Sequence, residues 1–369
     1  MVRIHFFIPD NPNPLNFRYY HAIVVLAEGL KKEKIEYFGN TDYWYDPINQ
    51  EYLITKAPEK YRADVNIYLG KCFEEAKIRI DKSRVNILLD TSDGMFTCSS
   101  EKRFMQFDLI FKAHYNSNYN YSEKVKPWPF ALSNRIIDTI DETRVSKQED
   151  KVLVNFRGGH TLRKLVIANF HPLLADKYLI DDSTEVKLKT SDFERIENVK
   201  DIHKSYLYQT AQRHNPKYFE RLNGALFTSV FGGFVMLKPI RKYKMRPPFR
   251  QLFKHQVLLS GIKINSKNYF MYQYDSWRFW ESLYADTVPI HLDFEEWGAV
   301  LPVMPVNGVH YIGVKNFDFE ACAEYIKSLS HEQIKQIAEN GKKWVIENYT
   351  PAKVTQYVVE EINKMKKLK

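Results

Sequence analysis

Short, mostly apolar runs recur along this chain with longer helical stretches between them, and that alternation leaves few folds open. Residues 2–8, 65–69, 85–89 and 109–112 are such runs, each bounded by polar or turn-forming residues. Strands buried on both faces look like this, and they belong to parallel sheets covered by helices. After the first run come the loop 9–14, rich in proline and asparagine, and a helix expected over about 17–32. A second series opens at 151–156, with further strands expected at 178–180, 233–237, 268–272, 288–292 and 310–314. A helix is expected over 317–329. Ser330 and Gln333 have capping-box spacing for another, reaching about 348, and Pro351 opens a last one. The expected fold is therefore α/β with two doubly wound, Rossmann-like units: residues 1–145, then 151–350, then a terminal helix and basic tail over 351–369. The charged segment 141–150, without apolar periodicity, reads as the linker.

Composition supports two cores. The chain has 369 residues, 44% of them hydrophobic and 15% aromatic, which is more than one core usually serves. The opening Met-Val-Arg-Ile-His-Phe-Phe-Ile enters a strand directly and is too short for the apolar part of a signal peptide. The most apolar long stretch, 224–240, contains three glycines and a lysine. A membrane span needs roughly 20 apolar residues, so this stretch reads as buried strand and turn. Cys72, Cys98 and Cys322 are far apart and odd in number, which suits reduced thiols in a cytoplasmic protein. The eleven histidines include no pair spaced for zinc.

The most informative segment for chemistry is 272–293. It reads as a polar loop, a helix opening near Ser276, and the β-branched strand 288–292. Ser276, Arg278 and Glu281 fall in the first turns of that helix, with Arg278 and Glu281 on one face. A helix N-terminus offers free N–H groups and partial positive charge to a phosphate. Arg278 would add a bidentate cation, and Glu281 could accept two ribose hydroxyls. Tyr274, in the loop just ahead, joins this nucleotide-binding set. The same stretch also fits an amphipathic helix whose Trp277, Trp280 and Tyr284 pack a core.

The segment resembles the donor-binding region of GT-B glycosyltransferases, particularly the exostosin-like branch, with its Ser-x-Arg-x-x-Glu-Ala pattern followed by a small-residue turn and x-Pro-Val/Ile. Here the matching residues are Ser276, Arg278, Glu281 and Val288-Pro289-Ile290. Ser282 stands in place of the usual alanine, Asp286-Thr287 in place of Gly-Cys, and Gln273 where many related families carry a glutamate. The resemblance implies two Rossmann-like domains facing a cleft, with the C-terminal helix crossing back to the first domain. It also implies transfer of a sugar from a nucleotide-diphospho-sugar to a glycan or other hydroxyl acceptor.

A second constellation, Val152-Leu-Val-Asn-Phe-Arg157-Gly158-Gly159-His160 followed by Arg163, runs from a strand into a turn. Ligands of open α/β sheets bind at that end of a strand. Arg157 and Arg163 are phosphate candidates, and Gly158 would allow close approach of a diphosphate. A solvated turn is the competing reading. The Gly232-Gly233 turn is a minor candidate for the nucleobase or sugar. The chain contains no Asp-x-Asp triplet of the kind that holds a divalent metal on a diphosphate. No metal or other cofactor is expected, and arginines with a helix terminus would meet the leaving group's charge. An inverting transfer needs a base. Asp93 is preferred and Asp90 comes second, both directly after the 85–89 strand, with Asp10 and His21 comparable; Asp90 or Asp93 could equally cap a turn.

The net charge of +9 suits an anionic partner. Seven Lys and Arg residues lie between Lys238 and Lys254 without an acid, which fits either a solvated connection or a polyanion contact. Basic residues of this kind, with the tail, would allow weak contact with an anionic membrane surface or an anionic acceptor. The rival class is a non-catalytic polyanion or nucleic-acid-binding protein, against which stands the absence of any nucleic-acid-binding signature.

Overall fold

The apolar runs of the first half form a six-stranded, all-parallel sheet in the order β2-β1-β5-β6-β7-β8. These strands are β1 (Ile4–Phe7), β2 (Tyr37–Gly39), β5 (Val65–Leu69), β6 (Val85–Asp90), β7 (Leu109–Lys112) and β8 (Val125–Pro127). The computed structural model describes residues 2–9, 19–70, 80–95, 102–156, 160–182, 201–211, 213–232, 235–237 and 264–367. A hairpin, β3 (Tyr43–Asp46) with β4 (Glu51–Ile54), stands beside the sheet. Helices α1 (His21–Lys32) and α2 (Asn134–Glu142) belong to this half. Ile67, Ile87, Leu88 and Leu89 are fully buried, each contributing roughly 1.5–3 kcal/mol by leaving water.

The second half builds another parallel sheet, in the order β10-β9-β11-β14-β15. Its strands are β9 (Gln148–Val154), β10 (Leu179–Asp182), β11 (Ala225–Ser229), β14 (Val288–Leu292) and β15 (Ile312–Val314). Helices α3 (Thr161–Asn169), α4 (His171–Leu174), α5 (Asp201–Gln209), α6 (Pro216–Gly224), α7 (Trp277–Tyr284), α8 (Phe319–Ser328), α9 (His331–Tyr349) and α10 (Pro351–Lys367) accompany it. The expected capping box is present: Gln333 N–H donates to Ser330 Oγ at 3.2 Å, and Ser330 N–H to Gln333 Oε1 at 2.8 Å.

Two expectations need correction. The runs at 233–237 and 268–272 do not join the second sheet. Among the described residues, Val235–Leu237 (β12) and Tyr269–Met271 (β13) pair with each other, antiparallel, and with no other strand. The central position goes to β11, inside the glycine-containing stretch read as buried strand and turn. The charged linker also gives up its last residues to β9, which begins at Gln148.

In both sheets the strand order reverses direction once, between β1 and β5 and between β9 and β11. Loops leaving these pairs diverge to opposite faces and open a crevice at the carboxyl edge. The two halves meet near these edges. Ser117 N–H donates to Gly298 O at 2.7 Å, Val300 N–H to Tyr115 O at 3.0 Å, and Asn116 Nδ2 to Trp297 O at 2.9 Å.

Helix α10 returns to the first half and lies along α1. Thr355 Oγ1 donates to Leu26 O at 3.2 Å, and Tyr357 OH to Pro127 O at 3.0 Å. The approach is closest at Gly29, where a Cβ would overlap Pro351 O and Thr355 Oγ1. A backbone carbonyl cannot rotate away, so Gly29→Val is expected to lower stability by about 1–3 kcal/mol. A drop in the urea midpoint with unchanged slope would show it, and an unchanged midpoint would mean the helix is not seated there.

Among the described residues no helix is long and apolar enough to cross a membrane.

Candidate functional site

Helix α7 starts at the carboxyl edge of the second sheet. Its N-cap, Ser276, is extended (φ −150°, ψ 166°), and its hydroxyl makes no capping bond. Arg278, in the first turn, folds toward the end of β9. Its Nε and Nη2 both donate to Asn155 Oδ1 at 3.3 Å. That acceptor is neutral, and no carboxylate among the described residues forms an ion pair with Arg278. The guanidinium is therefore held in place by a neutral partner, with Glu281 one turn on as its electrostatic neighbour.

Arg163 reaches the same edge from the first turn of α3. It is 8% exposed, donates from Nε to Phe231 O at 3.1 Å, and lies 5.4 Å over the Phe156 ring. Phe156 follows β9 and Phe231 follows β11, so Arg163 sits at the crevice where the strand order reverses. His291 of β14 braces this crevice from below. Gly232 N–H donates to its Nε2 at 3.1 Å, which puts the ring proton on Nδ1, bonded to Leu292 O at 3.0 Å. Burial holds its pKa down at about 4, so the ring is neutral. Asn155 and His291 were not singled out from the sequence. Both lay within the two segments read as donor-binding, but Arg278 for Asn155 and Gly232 for His291 are more than fifty residues away in the chain.

Two members of the expected set are inside the protein. Tyr274 is fully buried, its hydroxyl donating to Val300 O at 3.0 Å and its ring edge-on to His114 at 5.4 Å. Glu281 is 5% exposed and accepts from Tyr218 OH at 2.9 Å. Burial raises its pKa, opposed by Arg135, Arg278 and the Tyr218 hydrogen bond. Its carboxylate thus faces protein partners rather than an open ribose pocket. Arg157, Gly158 and Gly233 lie outside the described residues, as do Asp10 and the basic residues from Lys238 to Lys254.

The base candidates separate clearly. Asp90 is 1% exposed, with Oδ2 3.3 Å from Lys112 Nζ and Oδ1 bonded to the Ser92 hydroxyl and N–H. Asp90 and Lys112 are register partners on β6 and β7. The carboxylate is thus buried, paired with Lys112 and tied into the turn at Ser92. His21 is committed as well. Nε2 donates to Phe130 O at 2.8 Å, and Nδ1 accepts from Tyr19 OH at 2.8 Å. Asp93 differs: it is exposed, and its Oδ1 accepts from Gln273 Nε2 of the other half at 2.9 Å. The adjacent Gly94 has φ +99°, and a Cβ there would strike the Tyr272 ring. The Asp93 loop is thus laid directly against the segment leading into α7.

Among the described residues, no three His, Cys, Asp or Glu side chains group closely enough to hold a metal ion.

No family model matches the sequence, and no curated protein matches it. Solved structures do match. AviGT4, a glycosyltransferase involved in avilamycin A biosynthesis, covers 99% of this chain and 98% of its own, with a TM-score of 0.50 and 10% identity. A glycosyltransferase from Rickettsia africae ESF-5 covers 99% and 98%, with a TM-score of 0.48 and 10% identity. HepE of Anabaena, solved with UDP-glucose, covers 99% and 100%, with a TM-score of 0.43 and 9% identity. At these identities the likeness is one of fold. The two parallel sheets, their facing edges and the returning C-terminal helix are the GT-B architecture.

Proposed function

We propose that this protein is a glycosyltransferase that binds a nucleotide-diphospho-sugar at the carboxyl edge of its second sheet and passes the sugar to a hydroxyl acceptor. The observation that carries this reading is the convergence of Arg278 and Arg163 from the first turns of two helices on one sheet edge. Two helix termini and two guanidinium groups make a site for a diphosphate. Ser276 would offer its hydroxyl and the neighbouring N–H groups. Glu281, held by Tyr218, would support the ribose end from beneath. Charge building on the departing nucleotide would be met by arginines already in place, with no metal required.

Asp93 is the proposed base. Its position across from Gln273 puts a solvent-accessible carboxylate between the halves, where an acceptor hydroxyl would enter. Asp93→Asn keeps the shape and the Gln273 contact but removes the proton acceptor. It should lower kcat about 100-fold or more with little change in donor KM. Unchanged kcat would assign the base elsewhere or indicate a retaining transfer.

The direct test is a thermal-shift series with UDP, GDP, CDP and ADP in the absence of metal. A ligand bound only by the folded state raises Tm by mass action. A rise with one diphosphate that disappears in Arg278→Ala supports the site and names the base. No rise with any of the four overturns it.

A further inference from the structure

The seam between the two halves closes on one short segment, 272–275, which runs from β13 to the N-cap of α7. Each of its residues meets the first half or the stretch 297–300 that pairs with it. Tyr272 lies against Gly94 and leaves no room for a Cβ there. Gln273 Nε2 donates to Asp93 Oδ1 at 2.9 Å. The Tyr274 ring is edge-on to His114, and its hydroxyl donates to Val300 O, whose own N–H donates to Tyr115 O. Asp275 is 1% exposed, with Oδ1 3.1 Å from His114 Nδ1. Ser276 and Arg278 follow directly, so whatever grips 272–275 also sets where the start of α7 stands relative to Asp93.

The His114–Asp275 pair differs from the other contacts. Both side chains are sealed from water, and they come from opposite sides of the seam, His114 from the β7–β8 loop. Asp275 Oδ2 accepts from Trp280 Nε1 at 3.1 Å, which ties it to the body of α7. His114 Nε2 has no hydrogen-bond partner among the described residues, so Asp275 is the polar group this ring meets. The φ of His114, +55°, is an uncommon backbone state that persists where the surroundings dictate it. A buried acid–imidazole pair gives little net stability, and apolar side chains of the same volume would hold such a seam as firmly. What the pair adds is a single register, because any slip leaves a carboxylate unpaired in a dry interior.

We propose that His114 and Asp275 are positioning residues for the transfer. They lock the start of α7 to the first half and so fix the distance from the donor diphosphate to Asp93. This rests on the donor and acceptor roles given to the two halves above. Neither side chain touches substrate, since both are buried.

Two variants test the lock. Asp275→Asn keeps the volume and an acceptor for Trp280 but drops the charge. His114→Asn keeps a side chain that tolerates the left-handed state. In both, kcat for transfer should fall about 10- to 100-fold, the cost of loosened geometry. The diphosphate concentration that gives half the thermal shift should stay within about twofold, because Ser276, Arg278 and Arg163 all belong to the second half. Donor hydrolysis, which takes water as acceptor, should fall less, so the ratio of transfer to hydrolysis drops. Loss of folded protein alone would lower both reactions together and leave that ratio where it was. A second readout needs no activity. In hydrogen–deuterium exchange, the peptide over 272–284 should exchange about tenfold faster in both variants, with β6 unchanged. An unchanged ratio of transfer to hydrolysis overturns the proposal, and so does unchanged exchange over 272–284. If the wild type binds no diphosphate, the donor site fails separately, and exchange still decides whether the pair locks α7.

Discussion

Arg278→Ala should reduce kcat/KM for sugar transfer by about 100- to 1,000-fold, the size of effect seen when one preorganised group facing developing charge is removed. The expectation rests on how the residue is held. Asn155 Oδ1 accepts from both Nε and Nη2 at 3.3 Å, which fixes the plane of the guanidinium without neutralising it. A carboxylate in place of Asn155 would have cancelled the charge, and no partner would have left it to solvent. Arg278→Lys should recover only part of the loss, because an ammonium is a point charge that cannot engage two oxygens in a fixed plane. Asn155→Ala keeps the cation but frees its rotamers, so a milder loss, on the order of tenfold, is expected. Arg278 is only partly buried, so Tm should hardly move in any of the three. Release of nucleoside diphosphate, followed at several donor concentrations, separates kcat from KM. Wild-type kcat/KM in Arg278→Ala would remove the residue from the site.

The fold was legible wherever a strand is buried on both faces. β5, β7 and β14 fall on the apolar runs that announced them, because a central parallel strand, buried on both faces, is apolar over most of its length. The rest was hidden for physical reasons. β2 and β8 are three-residue edge strands. The β3–β4 hairpin carries polar and aromatic residues that look like a loop. β11 is central but starts directly after Gly224, the last residue of α6, and is followed closely by Gly232, so its composition suggested a turn. The turn after α7 shows the opposite case, a substitution whose role the backbone explains. Asp286, which stands where the resembling families carry glycine, has φ +53° and pairs with Lys342 at 2.6 Å and Arg144 at 3.2 Å. Aspartate tolerates that left-handed state better than most residues.

The site was legible as residue types on a helix start and not as partnerships. Nothing in the spacing of Ser276, Arg278 and Glu281 tells that Arg278 reaches 123 positions back to Asn155, or that Glu281 turns inward to Tyr218. The same holds for the base candidates. Asp90 and Asp93 are equivalent in sequence, three residues apart after one strand. Only the register of β6 on β7 places Lys112 beside Asp90 and leaves Asp93 to cross to Gln273.

Acid should unfold this protein well before its carboxylates are fully protonated. Burial lowers the pKa of His21 from 6.5 to about 3, and those of His171 and His291 to about 4. Each ring is neutral and bonded through both nitrogens or to a buried hydroxyl: His21 to Tyr19 and Phe130, His171 to Ser229, His291 to Gly232 and Leu292. In the unfolded chain these groups take up protons near pH 6.5, while the folded chain refuses them until about pH 4 or below. The unfolded state therefore binds more protons across that window, and stability falls as pH falls through it. A shift of this size corresponds to about 3 kcal/mol per group at the acid end of the window, on the order of a domain's whole stability for the three together. Glu28 acts in the other direction. Burial raises its pKa to about 8, so the folded state holds a proton that the unfolded state has lost, and stability falls as pH rises from about 4.5 to 8. Tm should accordingly drop steeply below about pH 6.5 toward pH 4.5 and stay nearly level toward pH 8, where the Glu28 fall is offset by Lys147, whose pKa burial lowers to about 7 so that the unfolded state binds the extra proton. Across these four groups, calorimetry at pH 5 in buffers of different ionisation enthalpy should show about two protons taken up on unfolding, nearly three by the imidazoles less most of one released by Glu28. His171→Gln should shallow the acid limb, and Glu28→Gln, which still accepts from Asn134 N–H, should let Tm rise above pH 7 by leaving the Lys147 contribution unopposed. A Tm that stays level from pH 7 to 4.5 would mean that these imidazoles are not sealed from solvent, and the packing that braces the sheet edge around His291 would have to be reconsidered.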